Sequence, residues 1–212
     1  MKDLNQLLLK FDLKQNYKYD DYYVSKSNFY PFKIINDWPR WEKNILNIYG
    51  EKYSGKTHLS NIFIKKFKGK KIKGNQFNND TLREFKIVEN LVIDDFDQNI
   101  DEKLMYSLFN LADQDKKYII INSLIPINEI NFKLKDMHSR AKNCLFAKIE
   151  KPDDDLMFAI LIKNFSDRQI IIEKKFIEFI IKRIDRSYEK IYEFIYKIDE
   201  ISLKKKKSID FK

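Results

Sequence analysis

The sequence predicts an α/β fold: a three-layer parallel-sheet domain built round a phosphate-binding loop, followed by a small all-helical lid domain. Three observations carry this. Gly50-Glu51-Lys52-Tyr53-Ser54-Gly55-Lys56-Thr57 fits G-x-x-x-x-G-K-[ST], and two of the chain's four glycines stand where that pattern requires them. Apolar β-prone runs alternate with helical patterns as far as about residue 149, the arrangement of a parallel sheet covered on both faces. At Pro152 the composition shifts, and three helical segments follow with no further strand.

The loop has the context that gives such a pattern its chemistry. The short apolar run Ile45-Leu46-Asn47-Ile48-Tyr49 precedes it, and Leu59, Ile62, Phe63 and Phe67 follow at helical spacing. In a strand–loop–helix unit of this kind, glycines let backbone N–H groups turn toward a β-phosphate, and the helix N-terminus adds its positive end. Lys56 is expected to reach the β- and γ-phosphates of ADP or ATP, with the Thr57 hydroxyl on Mg²⁺ and His58 opening the helix beside the cradle.

The other elements follow in order. Residues 1–16 read as a tail, polar apart from Leu4, Leu7, Leu8, Leu9, Phe11 and Leu13; the nucleotide domain is expected over 17–151. Residues 27–42 hold a helix that ends near Trp38-Pro39; Lys71 to Lys73 is a short strand, and Asp80 to Phe85 a helical turn. Leu91 to Asp95 is a buried strand ending in two carboxylates. Asp101 to Ala112 forms an amphipathic helix with Leu104, Leu108, Leu111 and Ala112 inward. Tyr118 to Ile121 is the next strand, leading to Asn122 and Ser123; a short helix near 134–140 precedes the last strand, 144–149. The lid occupies 152–212, with helices at about 153–166, 173–184 and 187–203. Asp153-Asp154-Asp155 caps the first of these, and Tyr188, Ile191, Ile195, Ile198 and Ser202 are the inward stripe of the last.

Composition bounds the function. At 43% hydrophobic and 15% aromatic residues there is ample material for a packed core. No stretch approaches the roughly eighteen uncharged apolar residues of a membrane span, and the N-terminus lacks the pattern of a signal peptide. The single Cys144 excludes an intramolecular disulfide, and a cytoplasmic protein is expected. The net charge of +9 comes with heavy use of Lys, Ile, Asn, Phe and Tyr and sparse Gly, Ala and Pro. An AT-rich genome produces that bias, so the excess lysine is read first as codon usage and only second as a nucleic-acid surface. Direct DNA binding is expected to be weak if it occurs, including at the lysine run 204–207.

A magnesium–nucleotide site needs a carboxylate at the end of a central strand beside the loop. Asp94 is placed to hold a Mg²⁺-bound water, and Asp95 to orient an attacking water. Asn122 or Ser123, at the end of the next strand, is the candidate sensor of the γ-phosphate. An α/β nucleotide domain with a helical lid is an AAA+ layout.

Three segments make the resemblance more specific: Val92-Ile93-Asp94-Asp95, Gly55-Lys56-Thr57-His58-Leu59, and Tyr19 to Asn28 (YDDYYVSKSN). Together they resemble the DnaA/Hda branch of AAA+ ATPases, in which an F-D-x-F-V-x-G-x-S-N box lines the adenine pocket. Asp20, Ser27 and Asn28 match that box; Tyr19 and Tyr22 replace Phe, and Ser25 stands where Gly is usual. Leu134 to Arg140 (LKDMHSR) resembles the family's L-x-D-L-x-S-R segment, which implies an arginine finger at Arg140; a surface salt bridge to Asp136 is the alternative.

Within the branch the resemblance is closest to the Hda type, the regulatory inactivators of the initiator DnaA. Gln6-Leu7-Leu8-Leu9-Lys10-Phe11 fits their Q-L-x-L-x-F sliding-clamp peptide, which implies that Gln6, Leu7, Leu9 and Phe11 dock on the polymerase clamp (its β subunit). With the chain stopping at Lys212 after the lid, no origin-binding helix-turn-helix domain is expected. The implied partners are the clamp and DnaA, with a homodimer also allowed. The family's sensor-2 arginine position is held by Glu189, with Arg186 and Lys190 nearby as substitutes. That favours ADP as the resident nucleotide and weak intrinsic hydrolysis. An autonomous AAA+ ATPase such as a helicase loader, or a truncated initiator relative binding DNA through its lysines, are the alternatives.

Overall fold

The computed structural model describes residues 21–97, 99–168, 170 and 172–205, without the side chains of 202–205. Helix α1 (Phe29–Asn36) leads to β1 (Ile45–Tyr49), α2 (Lys56–Phe67), β2 (Lys70–Lys73), α3 (Asn79–Phe85) and β3 (Asn90–Phe96). Then follow α4 (Glu102–Gln114), β4 (Tyr118–Ser123), α5 (Lys135–Lys142) and β5 (Leu145–Lys148). Helices α6 (Asp154–Asp167), α7 (Lys174–Ile181) and α8 (Tyr188–Lys205) close the chain.

The five strands form one parallel sheet in the order β2-β3-β4-β1-β5. Buried strands with period-2 side chains must find apolar partners on both faces. Ile45, Leu91, Ile93, Ile119 and Ile121 pack with α3, α4 and α5 on one face. Leu46, Ile48, Val92, Ile120 and Ala147 pack with α1 and α2 on the other. The last three helices have a core of their own in Met157, Leu161, Phe165, Ile177, Ile191 and Ile195. The fold is therefore the expected three-layer parallel-sheet domain followed by a helical lid.

Helix starts follow the caps written in the sequence. Asp101 accepts from the N–H groups of Lys103 and Leu104, Asp153 from Leu156, and Asn78 from Asp80 and Thr81. The first helix ends at Asn36, close to Trp38-Pro39 as expected, and Trp38 and Trp41 turn back to pack on Phe63. One expectation needs correction. In α4 the buried stripe is Met105, Leu108, Phe109 and Ala112 rather than one through Leu104 and Leu111. Both stripes satisfy a 3.6 period; the observed one buries the larger Phe109.

One buried polar side chain locks the sheet to the loop after β4. Asn47, fully buried on β1, donates to the Ile121 carbonyl and Ser123 Oγ, each at 2.9 Å, and accepts from Ile127 N at 2.9 Å. Asn47→Ala leaves a buried N–H and carbonyl unpaired. It is expected to lower unfolding free energy by about 2–3 kcal/mol in urea denaturation; a loss under about 0.5 kcal/mol would mean that water replaces the amide.

Candidate functional site

The loop between β1 and α2 has the shape its glycines dictate. Gly50 sits at φ +152°, where an added Cβ would lie 2.8 Å from the Ile149 carbonyl oxygen. Gly55, at φ +96°, is the left-handed N-cap of α2, with the Tyr22 ring 3.3 Å from where a Cβ would be. Between them Tyr53 is also left-handed, at φ +65°. The backbone thus delivers Lys56 and Thr57 as the first residues of α2.

Lys56 is buried and reaches back across the loop. Its Nζ donates to the carbonyls of Gly50 at 2.7 Å and Glu51 at 2.8 Å, with Ser54 Oγ 3.5 Å away. Burial pushes its ammonium down to about 8, against the pull of Asp94, Asp95 and Glu51. The Thr57 hydroxyl donates to Asp94 Oδ1 at 3.1 Å.

Asp94 is the most heavily engaged side chain of the site. Besides Thr57, the Asn122 amide donates to Oδ1 at 2.8 Å, and the Lys71 ammonium lies 2.8 Å from Oδ2. Burial pushes this carboxyl up, but the donors from Lys71, Asn122 and Thr57 outweigh it and hold the group below its usual range. Asp95 is exposed: a bulge between Ile93 and Phe96 gives it φ +53°, and its charge still acts on the Lys56 ammonium of the loop.

The Asn122 amide, expected as a γ-phosphate sensor, spends its N–H groups on Asp94 and on Ser60 Oγ, the latter at 2.7 Å. It positions Asp94 instead of presenting a donor outward. Ser123 likewise bonds inward, to Asn47 and the Ile125 carbonyl. His58 meets the Tyr22 ring edge-on at 5.2 Å. Lys52 lies over the Tyr53 ring.

A divalent cation would be held by Thr57 and Asp94. The two are turned on each other, and the remaining Asp94 oxygen is paired with an ammonium. As they stand, these contacts leave a divalent cation no open oxygen between Thr57 and Asp94. Nothing in the sequence marked Lys71: one lysine among many, two residues short of the end of an edge strand, carries no motif.

The lid meets the loop through Glu51. Ser187 Oγ and Tyr188 N both donate to its carboxylate, each at 2.7 Å, so a loop residue caps α8. Tyr53 stacks on Tyr192 of α8 at 4.7 Å. Ser27, in the box ahead of α1, donates to the Asp153 cap of α6 at 2.9 Å and ties a second point. The lid cations do not turn inward: Arg186 pairs with Asp154 at 2.8 Å and Lys190 with Glu193 at 2.9 Å.

Arg140, on α5, pairs with Asp113 of α4 rather than with Asp136, and lies over the Tyr106 ring. It shares a small cavity with Asn44 and Ile45, at the start of β1. The phosphate loop leaves the other end of that strand, about 16 Å away at 3.3 Å per residue. Arg140 and its own loop therefore sit at opposite ends of the sheet. Gln6, Leu7, Leu9 and Phe11, with Tyr19 and Asp20 of the box, lie outside the described residues. No helix among the described residues is long and apolar enough to cross a membrane.

This arrangement defines a P-loop α/β domain with a helical lid. No family model matches the chain. Among solved structures it is similar to domain III of the Thermotoga maritima replication initiation protein DnaA, at 21% identity and a TM-score of 0.73, covering 94% of each chain. AMPPCP-bound DnaA from Aquifex aeolicus is similar at 19% identity and TM-score 0.70, over 93% of this chain and 70% of that one. The Thermotoga maritima RuvB Holliday junction branch migration motor follows at 16% identity and TM-score 0.58, over 78% of this chain and 57% of that one. The chain shares the α/β fold of DnaA domain III.

Glu51→Ala removes the acceptor for two donors at the start of α8. It is expected to lower stability by about 1 kcal/mol, and in a double-mutant cycle with Ser187→Ala the two losses should be less than additive. Additive losses in denaturant titrations would show that the carboxylate does not hold the lid.

Proposed function

We propose that the Gly50–Thr57 loop binds a nucleoside di- or triphosphate and that the chain is an Hda-like regulator of replication initiation. In this reading it docks on the sliding clamp through Gln6, Leu7, Leu9 and Phe11 and stimulates hydrolysis of ATP held by the initiator DnaA. The observation that carries the nucleotide part is the Lys56 ammonium, buried and aimed into a glycine-shaped backbone cradle at the N-terminus of α2. DnaA domain III, a replication initiation protein, and an AMPPCP-bound DnaA share its fold, which supports the assignment to initiation.

The regulatory part rests on Arg140. An arginine at the opposite end of the sheet from its own loop has no reach to that loop's phosphates, but it suits completion of a neighbouring molecule's site. Phosphoryl transfer spreads charge over the γ-oxygens, and a planar guanidinium supplied in trans contributes on the order of 10³–10⁵ in turnover where it has been dissected. The outward pairing of Arg186 and Lys190 leaves an added γ-phosphate without those lid cations and supports ADP as the resident nucleotide. The shorter Asp95 at the second carboxylate position supports weak intrinsic hydrolysis.

The functional test adds the protein to ATP-loaded DnaA, with and without DNA-loaded clamp, and follows phosphate release. Clamp-dependent acceleration is expected. Arg140→Ala should keep fold and nucleotide affinity yet lose the acceleration, and Arg140→Lys should fail nearly as badly because a point charge lacks the planar fork. Full stimulation by Arg140→Ala would remove Arg140 from the mechanism.

A pH dependence follows from Lys56. A bound polyphosphate favours the charged ammonium, whereas the free protein begins to lose that proton near pH 8, well below the ordinary lysine value of 10.5. ADP affinity is therefore expected to fall as pH rises above about 8. Lys56→Met should bind at least about tenfold more weakly at pH 7, since bonds to charged groups contribute roughly 1.5–3 kcal/mol, and should not show the decline. Isothermal titration across pH decides it; equal affinities for the two proteins would take Lys56 out of the site.

A further inference from the structure

Lys71 is absorbed by none of the roles above, yet it makes the tightest charge contact in the site. It lies on β2, paired in register with Val92, and its side chain runs along the sheet to the end of β3. There its Nζ sits 2.8 Å from Asp94 Oδ2 and donates to Asn61 Oδ1 of α2 at 3.1 Å. Asp94 is almost fully buried, and its other oxygen is filled by Thr57 and Asn122. A carboxylate close to a polyphosphate needs a neutralising positive charge. In this chain an ammonium already occupies the one Asp94 oxygen that Thr57 and Asn122 leave free. A divalent ion arriving there would have to displace an ammonium held by two acceptors, or sit beside it against like-charge repulsion.

We propose that Lys71 takes the place of a divalent cation, so that the loop binds the phosphates of a nucleoside diphosphate without metal. This rests on the nucleotide reading of the loop. Lys71 neutralises Asp94 and, with Lys56, gives the cradle two fixed cations. Neighbouring Lys70 serves as the charge-matched control, since it pairs with Glu84 on α3, away from Asp94.

The test is ADP titration of the whole chain in excess EDTA and again in excess Mg²⁺. The two dissociation constants are expected to agree within fivefold. In Lys71→Met, which keeps the length of the side chain without its charge, ADP binding in EDTA should weaken at least tenfold and recover when Mg²⁺ is added. Lys70→Met should behave as wild type. A wild-type affinity that tightens fivefold or more with Mg²⁺ would overturn the proposal, and so would Lys71→Met binding ADP in EDTA as well as wild type does. Should Lys71→Met fail to fold, the wild-type comparison alone decides. Absence of ADP binding under both conditions would overturn the nucleotide reading itself and this proposal with it, whereas metal-dependent binding leaves that reading standing.

Discussion

The site depends on one buried carboxylate. Asp94 sits at the end of a central strand where water cannot solvate it, and an unpaired charge there would be costly enough to disrupt the fold. Its three partners come from three different elements: Lys71 from β2, Thr57 from α2 and Asn122 from β4. The sheet order β2-β3-β4 and the packing of α2 over β3 are what bring those donors together. A register slip in any of them would leave the charge bare. Strand alternation puts Asp94 on the α2 face with Val92, and the irregularity between Ile93 and Phe96 follows it at the strand end.

The phosphate loop is also a joint. Its Lys56 and Thr57 face inward, while Glu51 and Tyr53 reach the lid, one capping α8 and the other stacking on it. Ser27 on the Asp153 cap fixes the base of the lid from the other side. Any ligand that reshapes the loop backbone must therefore act on the start of α8. A carboxylate at a helix N-terminus is itself a favourable interaction of charge with dipole, so the lid is held by the same kind of anion contact that a phosphate makes with α2.

On the proposed reading, the molecule separates two tasks across the length of its sheet. The C-terminal strand ends carry the loop, its lysines and Asp94; the N-terminal ends carry Arg140, held by Asp113 and the Tyr106 face. A chain whose sensor amide is spent on Asp94 and Ser60 and whose lid cations pair with surface carboxylates is poorly equipped to hydrolyse a nucleotide alone. Holding one nucleotide while presenting an arginine to another molecule fits that distribution of charge.

Much of this was legible in the linear sequence, because it depends on contacts between near neighbours in the chain. The glycine pattern specified the loop and the placement of Lys56 and Thr57; apolar periodicity specified the strands; Asp101 and Asp153 marked helix starts. The packing of Trp38 and Trp41 onto Phe63 is a contact across layers that no local pattern shows, and the inward stripe of α4 is ambiguous in sequence because two stripes share one period. The chemistry at Asp94 is likewise a tertiary matter. That Asn122 spends its amide on a carboxylate, that Arg186 and Lys190 pair outward and that Arg140 chooses Asp113 all depend on which side chains the sheet order sets side by side. Sequence alone determined where the glycine loop of the P-loop pattern would form, since backbone conformation and helix start are local. Only the tertiary structure decided which charges surround it, since electrostatic partners are chosen by distance in space, and Lys71 meets Asp94 across the strand pairing of β2 with β3.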